Sequence, residues 1–154
     1  MLWGGLVLPS AILAALVIAA FVLGERLIGR DGSPSTLRIE AEGRQWMWTF
    51  SYPEAGNLVS RGVLHLPVGR AVEVAVTSAD VIHSFWVPRL GGKIDAIPGH
   101  RNVIRLLAEK PGTYGGACAE FCGSGHGAMR FQVIAHEAGD YPAVLARLPG
   151  SDDQ

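Results

Sequence analysis

Sixteen residues near the C-terminal end, Gly116 to Phe131, constrain this chain more than any other stretch. They read Gly-Ala-Cys-Ala-Glu-Phe-Cys-Gly-Ser-Gly-His-Gly-Ala-Met-Arg-Phe. Both cysteines of the protein, Cys118 and Cys122, lie here, and His126 and Met129 follow them. Two thiolates, an imidazole and a thioether form a soft donor set, better matched to copper than to magnesium or calcium. Their spacing would suit one side of a helix, but Gly123, Gly125 and Gly127 oppose a helix. Glycine is costly inside one and useful where backbone must turn. The segment therefore reads as a tight loop that wraps its donors around a point.

Several chemistries compete for such a loop. A disulfide between Cys118 and Cys122 is a fair default in an exported domain, but it leaves His126 and Met129 unexplained. A structural zinc site would use Cys118, Cys122, His126 and one remote histidine. Zinc rarely recruits methionine, so Met129 counts against it. A mononuclear blue-copper site needs one cysteine, two histidines and a weak methionine, which makes the second cysteine surplus. Two copper ions bridged by both thiolates use every residue.

The other end of the chain is of a different kind. Leu2 to Gly24 contains no charged side chain, and Leu6 to Leu23 is dominated by Leu, Val, Ile, Ala and Phe. Twenty-three helical residues would span about 35 Å, enough for a bilayer core of roughly 30 Å. Pro9 falls near the start, where a helix tolerates it, and Trp3 suits a membrane interface. A cleaved signal peptide fits less well, because no Lys or Arg precedes a run this long. Asp31 to Ser35 then reads as a linker from its turn chemistry.

Beyond the linker the pattern changes to short alternating runs. Leu37, Ile39 and Ala41 alternate with Arg38 and Glu40; Trp46, Trp48 and Phe50 alternate with Met47 and Thr49. Further runs start at Val63, at Ala71 (Ala71 to Thr77, period two throughout), and at Val81, where His83 shares a face with Val81 and Phe85. Others cover Val103 to Leu107, Thr113 to Ala117 and Met129 to Ala135. Seven or more short strands separated by Gly/Pro turns predict an antiparallel sandwich or barrel. Asp140 to Leu148 reads as a short terminal helix. At 154 residues the chain fits one domain plus an appendage, and its net charge of −1 gives no nucleic-acid footprint.

The motif Cys-x-Glu-x-Cys-x-x-x-His-x-x-Met resembles the CuA loop of subunit II of haem–copper cytochrome c oxidase. The resemblance extends to Val81-Ile82-His83-Ser84-Phe85-Trp86-Val87-Pro88, to Lys93-Ile94-Asp95-Ala96-Ile97-Pro98-Gly99 and to Gly43-Arg44-Gln45-Trp46-Met47-Trp48. It covers roughly residues 1 to 136. It implies an all-β, cupredoxin-like Greek-key barrel preceded by a single transmembrane helix. The chain then divides into a transmembrane helix (1–28), a linker (29–36), a CuA domain (37–138) and a short helix with a tail (139–154). By the same resemblance, Cys118 and Cys122 bridge two copper ions, His83 holds one ion and His126 the other, and Met129 is a weak axial ligand. The backbone carbonyl of Glu120 is the remaining weak ligand, and its carboxylate binds magnesium at the contact with subunit I. Trp46 corresponds to the tryptophan that receives the electron.

The implied function is to take electrons from cytochrome c and pass them to the haem of subunit I, within a complex of further oxidase subunits. The implied location is the inner (plasma) membrane, single-pass and in contact with lipid, with the copper domain on the periplasmic, outer side. Arg26 and Arg30 alone would argue for the opposite orientation. Most members carry an earlier transmembrane helix, so this is either a one-helix variant or a sequence that begins at the usual second helix. Rival readings remain. Nitrous oxide reductase has a similar loop with Trp where this chain has Glu120. A quinol-oxidase subunit II keeps the fold without the copper ligands. A membrane-anchored copper carrier or assembly protein is the alternative of another class.

Overall fold

The computed structural model describes residues 3–28 and 37–150. The linker expected at Asp31–Ser35, Arg30 and the tail beyond residue 150 lie outside the described residues. The chain separates into two compact units, residues 1–33 and 34–154. In the first, a π-helical turn at Trp3–Val7 leads into α1, Leu8–Ile28. Trp3–Glu25 has a mean hydropathy of 2.8. It is long and apolar enough to cross a membrane. Pro9 is the second residue of α1, directly after the π-helical turn.

Among its described residues the second unit has ten strands: β1 Leu37–Arg44, β2 Met47–Tyr52, β3 Leu58–Arg61, β4 Val63–Pro67, β5 Val72–Ser78, β6 His83–Trp86, β7 Lys93–Ala96, β8 Asn102–Leu106, β9 Gly112–Cys118 and β10 Arg130–His136. They form two five-stranded sheets, ordered β3-β2-β1-β5-β8 and β4-β10-β9-β6-β7. The alternation in β1 places Leu37, Ile39 and Ala41 inside and Arg38, Glu40 and Glu42 outside. Between the sheets lies an aromatic core. Trp48 and Phe50 come from β2, Phe85 from β6 and Phe131 from β10, all buried. Trp48 meets Phe85 edge-on at 5.5 Å, and Phe85 stacks on Phe131 at 4.9 Å, the spacings that aromatic quadrupoles favour. Gly116 makes room for this cluster, since a Cβ there would lie 2.3 Å from the Phe131 ring.

Four expectations need correction. The sheets are mixed rather than purely antiparallel: β1 runs parallel to β5, and β4 parallel to β10. Alternation reports which face is buried and is silent about strand direction. Trp46 does not continue the inward face of Trp48 and Phe50; it belongs to the β1–β2 turn and is 41% exposed. Val81 precedes β6 and is exposed, so only Phe85 shares the buried face of His83. The terminal helix α2 is shorter than read, Tyr141–Leu145, and the Asp140 side chain does not cap it.

At the end of β10 opposite the Cys118–Met129 loop, His65 Nδ1 and His136 Nε2 lie 2.9 Å apart with their rings stacked at 5.1 Å. The His65 backbone N–H donates to the Tyr52 hydroxyl. Burial, reinforced by the neighbouring His136, pushes His65 down to about 4. Burial also lowers His136, against a smaller opposing pull from Asp140. Both are therefore neutral in the folded state at pH 7, whereas unfolding frees them to protonate near pH 6.5. The folded state binds fewer protons, so stability should be full above about pH 6.5 and fall steadily towards pH 4. We expect His65→Gln to flatten that acid limb of a melting-temperature profile; an unchanged limb would show that other groups cause it.

Candidate metal centre

Strands β9 and β10 are antiparallel neighbours, with Ala117 opposite Arg130. The loop between them is closed at its neck, where the Cys118 N–H donates to the Met129 carbonyl at 2.9 Å. Inside the loop a 3₁₀ turn spans His126–Ala128. Gly123 has φ +112°, a conformation open to glycine, and it reverses the chain after Cys122. The loop is anchored sideways as well: Ala119 donates to the Ser84 carbonyl, and Phe85 pairs with Cys118. Strand β6 thus brings His83 to the loop from 35 residues earlier.

Six donor groups converge there. Cys118 Sγ and Cys122 Sγ are 3.8 Å apart, and both cysteines are free. That is far beyond the roughly 2.0 Å of a disulfide. His83 Nδ1 lies 3.9 Å from Cys118 Sγ, and His126 Nδ1 lies 3.6 Å from Cys122 Sγ. Met129 Sδ is 3.7 Å from Cys122 Sγ, and the Glu120 carbonyl oxygen is 3.2 Å from Cys118 Sγ. His83, Cys118, Cys122 and Met129 are buried, whereas the Glu120 side chain is exposed. Donor atoms of His83, Cys118 and Cys122 all lie within 4.8 Å of one another, and His126 is not part of that group. One imidazole therefore serves each end of the thiol pair. A single tetrahedral ion would need all four donors around one point.

The electrostatics favour a cation. Burial, the adjacent Cys118 thiol and the nearby Asp80 carboxylate push the Cys122 thiol up to about 11. Two thiolates at this spacing need positive charge between them, and a thiophilic metal supplies it.

Asp80 reads in the sequence as an ordinary surface acid, but it has a specific place. Its carboxylate is 2.8 Å from His83 Nε2 and accepts the backbone N–H groups of Gln45 and Val81. Slight burial opposes its charge, but the Gln45 N–H, His83 and the Val81 N–H outweigh that and hold it at about 2. A carboxylate on the remote nitrogen fixes the imidazole's orientation and leaves Nδ1 facing the sulfurs, a common arrangement behind metal-bound histidine. Nothing in the local spacing of Asp80 announces this, because it depends on the turn before β6. Trp46 lies flat against the loop. Its Nε1–H donates to the Cys122 carbonyl at 3.1 Å, and a Cβ on Gly125 would stand 2.2 Å from its ring.

A two-sheet cupredoxin-like domain with a soft donor set in the β9–β10 loop defines a class. The comparisons name the family. The model for the periplasmic domain of cytochrome c oxidase subunit II matches residues 58–136, just over half of the chain. The chain belongs to the cytochrome c oxidase subunit II family. It is 47% identical over 111 residues to cytochrome c oxidase subunit 2 of Thermostichus vulcanus, covering 72% of this chain and 33% of that one. It is 38% identical over 141 residues to the Alkalihalophilus pseudofirmus subunit 2, covering 89% and 41%. These matches span about a third to two-fifths of the relatives' own length. The crystal structure of the periplasmic domain of subunit II from Bradyrhizobium japonicum superposes with a TM-score of 0.70 at 33% identity, covering 73% of this chain and 92% of that one. Family and apolar N-terminal helix together point to a membrane-anchored protein.

Proposed function

We propose that this chain is the electron-accepting subunit of a haem–copper terminal oxidase, taking electrons from cytochrome c at a binuclear copper centre and passing them to the haem of subunit I. The observation that carries the reading is the pairing of one imidazole with each end of the thiol pair, His83 beside Cys118 and His126 beside Cys122. Cys118 and Cys122 would bridge both ions, with Met129 Sδ and the Glu120 carbonyl as the weak outer donors. When bound, the two coppers would share one electron hole, which spreads the charge change between oxidation states. The protein's part is to keep the donors still. His83 is locked by Asp80, the loop is tied to β6 and closed at its neck, and the aromatic core backs it. The exposed Trp46 ring, bonded to the Cys122 carbonyl, is the proposed point of electron input.

In this reading residues 1–28 anchor the protein in the inner membrane, and the β unit lies on the periplasmic side. The exposed Glu120 carboxylate would contribute one oxygen to a magnesium ion whose other ligands come from subunit I. We expect Glu120→Gln to leave copper content unchanged, because the backbone carbonyl remains. It should lower magnesium content in the assembled complex, and an unchanged magnesium content would remove Glu120 from that role.

The test of the function is metal analysis and absorption of the full chain in detergent after copper loading. Two coppers per chain with the intense visible bands of a mixed-valence copper–thiolate centre are expected. One copper per chain, or preferential retention of zinc, would sink the proposal.

A further inference from the structure

We propose that Gln45 is a positioning residue that braces both halves of the metal centre from outside, through its main chain on the His83 side and its side chain on the Cys122 side. The proposal rests on the binuclear copper reading above and adds a residue to which that reading gives no role.

Gln45 stands in the β1–β2 turn, on the sheet opposite to the one that carries the donors. Its backbone N–H donates to Asp80 Oδ2 at 2.8 Å, while Asp80 Oδ1 is 2.8 Å from His83 Nε2. Its side-chain Nε2 donates to the Cys122 carbonyl at 2.8 Å. Trp46 Nε1 donates to that same carbonyl at 3.1 Å, so the oxygen receives two donors from one turn. The fit is close. A Cβ on Gly123 would stand 3.2 Å from Gln45 Nε2, and the positive φ of Gly123 follows the carbonyl that receives both bonds.

Two physical consequences follow. First, His83 arrives on β6 and Cys122 on the β9–β10 loop, and a third piece of chain sets the distance between them. That fixes the separation of the two ends across which the hole is shared. Second, both N–H dipoles point their positive ends towards the residue that carries a bridging sulfur. Positive charge there stabilises the more electron-rich, reduced state, so the two donors raise the reduction potential.

Gln45→Leu removes the side-chain donor at similar length and keeps the backbone N–H to Asp80. Gln45→Glu replaces the donor with a carboxylate that repels the carbonyl. Both are made in the full chain in detergent and read twice. In the metal-free protein, hydrogen exchange at the His126, Ala128 and Met129 amides, which donate to the carbonyls of Gly123, Gly125 and His126 inside the loop, should speed up about tenfold in either variant, because the anchor of that segment is halved. With copper bound, both variants should keep the wild-type metal content. Their reduction potential should fall and their copper hyperfine pattern change, more so in Glu than in Leu. Unchanged exchange in the metal-free variants overturns the brace. Faster exchange with an unchanged potential and hyperfine pattern overturns its reach to the metal. A failure of the copper reading itself would appear separately, as wild-type protein that does not take up two coppers, and the exchange result would still decide whether Gln45 holds the loop.

Discussion

Cys118→Ser or Cys122→Ser should each abolish two-copper binding. The two sulfurs are 3.8 Å apart and each stands beside a different imidazole, so neither can be replaced by the other. A serine hydroxyl is a hard, weakly acidic donor, and copper gains far less from it than from a thiolate. Loss of one bridge would leave a single shared thiolate, too little negative charge to hold two positive ions close together. We expect copper content to drop from two to one or none and the copper–thiolate absorption to vanish or collapse to a mononuclear form. The wild type should release protons on loading and bind more tightly as pH rises, because the Cys122 thiol, held up at about 11, must be deprotonated first. Two coppers retained in either serine variant would refute bridging by both sulfurs.

Trp46→Phe should slow reduction of the copper-loaded protein by cytochrome c many-fold. The Trp46 ring is 41% exposed, and its Nε1–H touches the carbonyl of Cys122, a residue whose own sulfur lies in the centre. A donor docked on the ring is therefore separated from that sulfur by one hydrogen bond and a few covalent bonds. Phenylalanine keeps an aromatic face and loses the hydrogen bond. Stability should change little, since the ring was never in the core and the lost bond is worth about 1 kcal/mol. Stopped-flow reduction beside a thermal melt separates the cases. An unchanged rate with a lowered melting temperature would make Trp46 a packing residue and move electron input elsewhere.

Much of the centre was legible because it is local. Cys118, Cys122, His126 and Met129 fall within twelve residues, and three glycines exclude the competing helix. His83 was not legible by spacing, since a histidine on an apolar face is usually ordinary core; only resemblance drew it in. Asp80 and Gln45 escaped because each acts through a hydrogen bond between distant turns, which leaves no periodic trace. In the fold, the clean alternation of Leu37, Ile39 and Ala41 fixed β1, while its parallel pairing with β5 was invisible to any one-strand pattern. Strands β3 and β7 are not legible because their four residues do not alternate between buried and exposed. Trp46 was misplaced for the opposite reason: it continues the alternation of Trp48 and Phe50 in sequence, but the chain turns before it can continue it in space.

The neck of the loop has a bearing on the order of assembly. Met129 receives the Cys118 N–H, and the next residue begins β10, which must seat between β4 and β9. The loop is therefore closed at its neck only when one of the last strands to be synthesised completes its sheet. His83 is made well before then, whereas Cys122 precedes Arg130 by eight residues. In the copper reading, metal capture would thus wait for the loop to close, and an unfinished chain would offer adventitious zinc or iron no finished pocket to occupy.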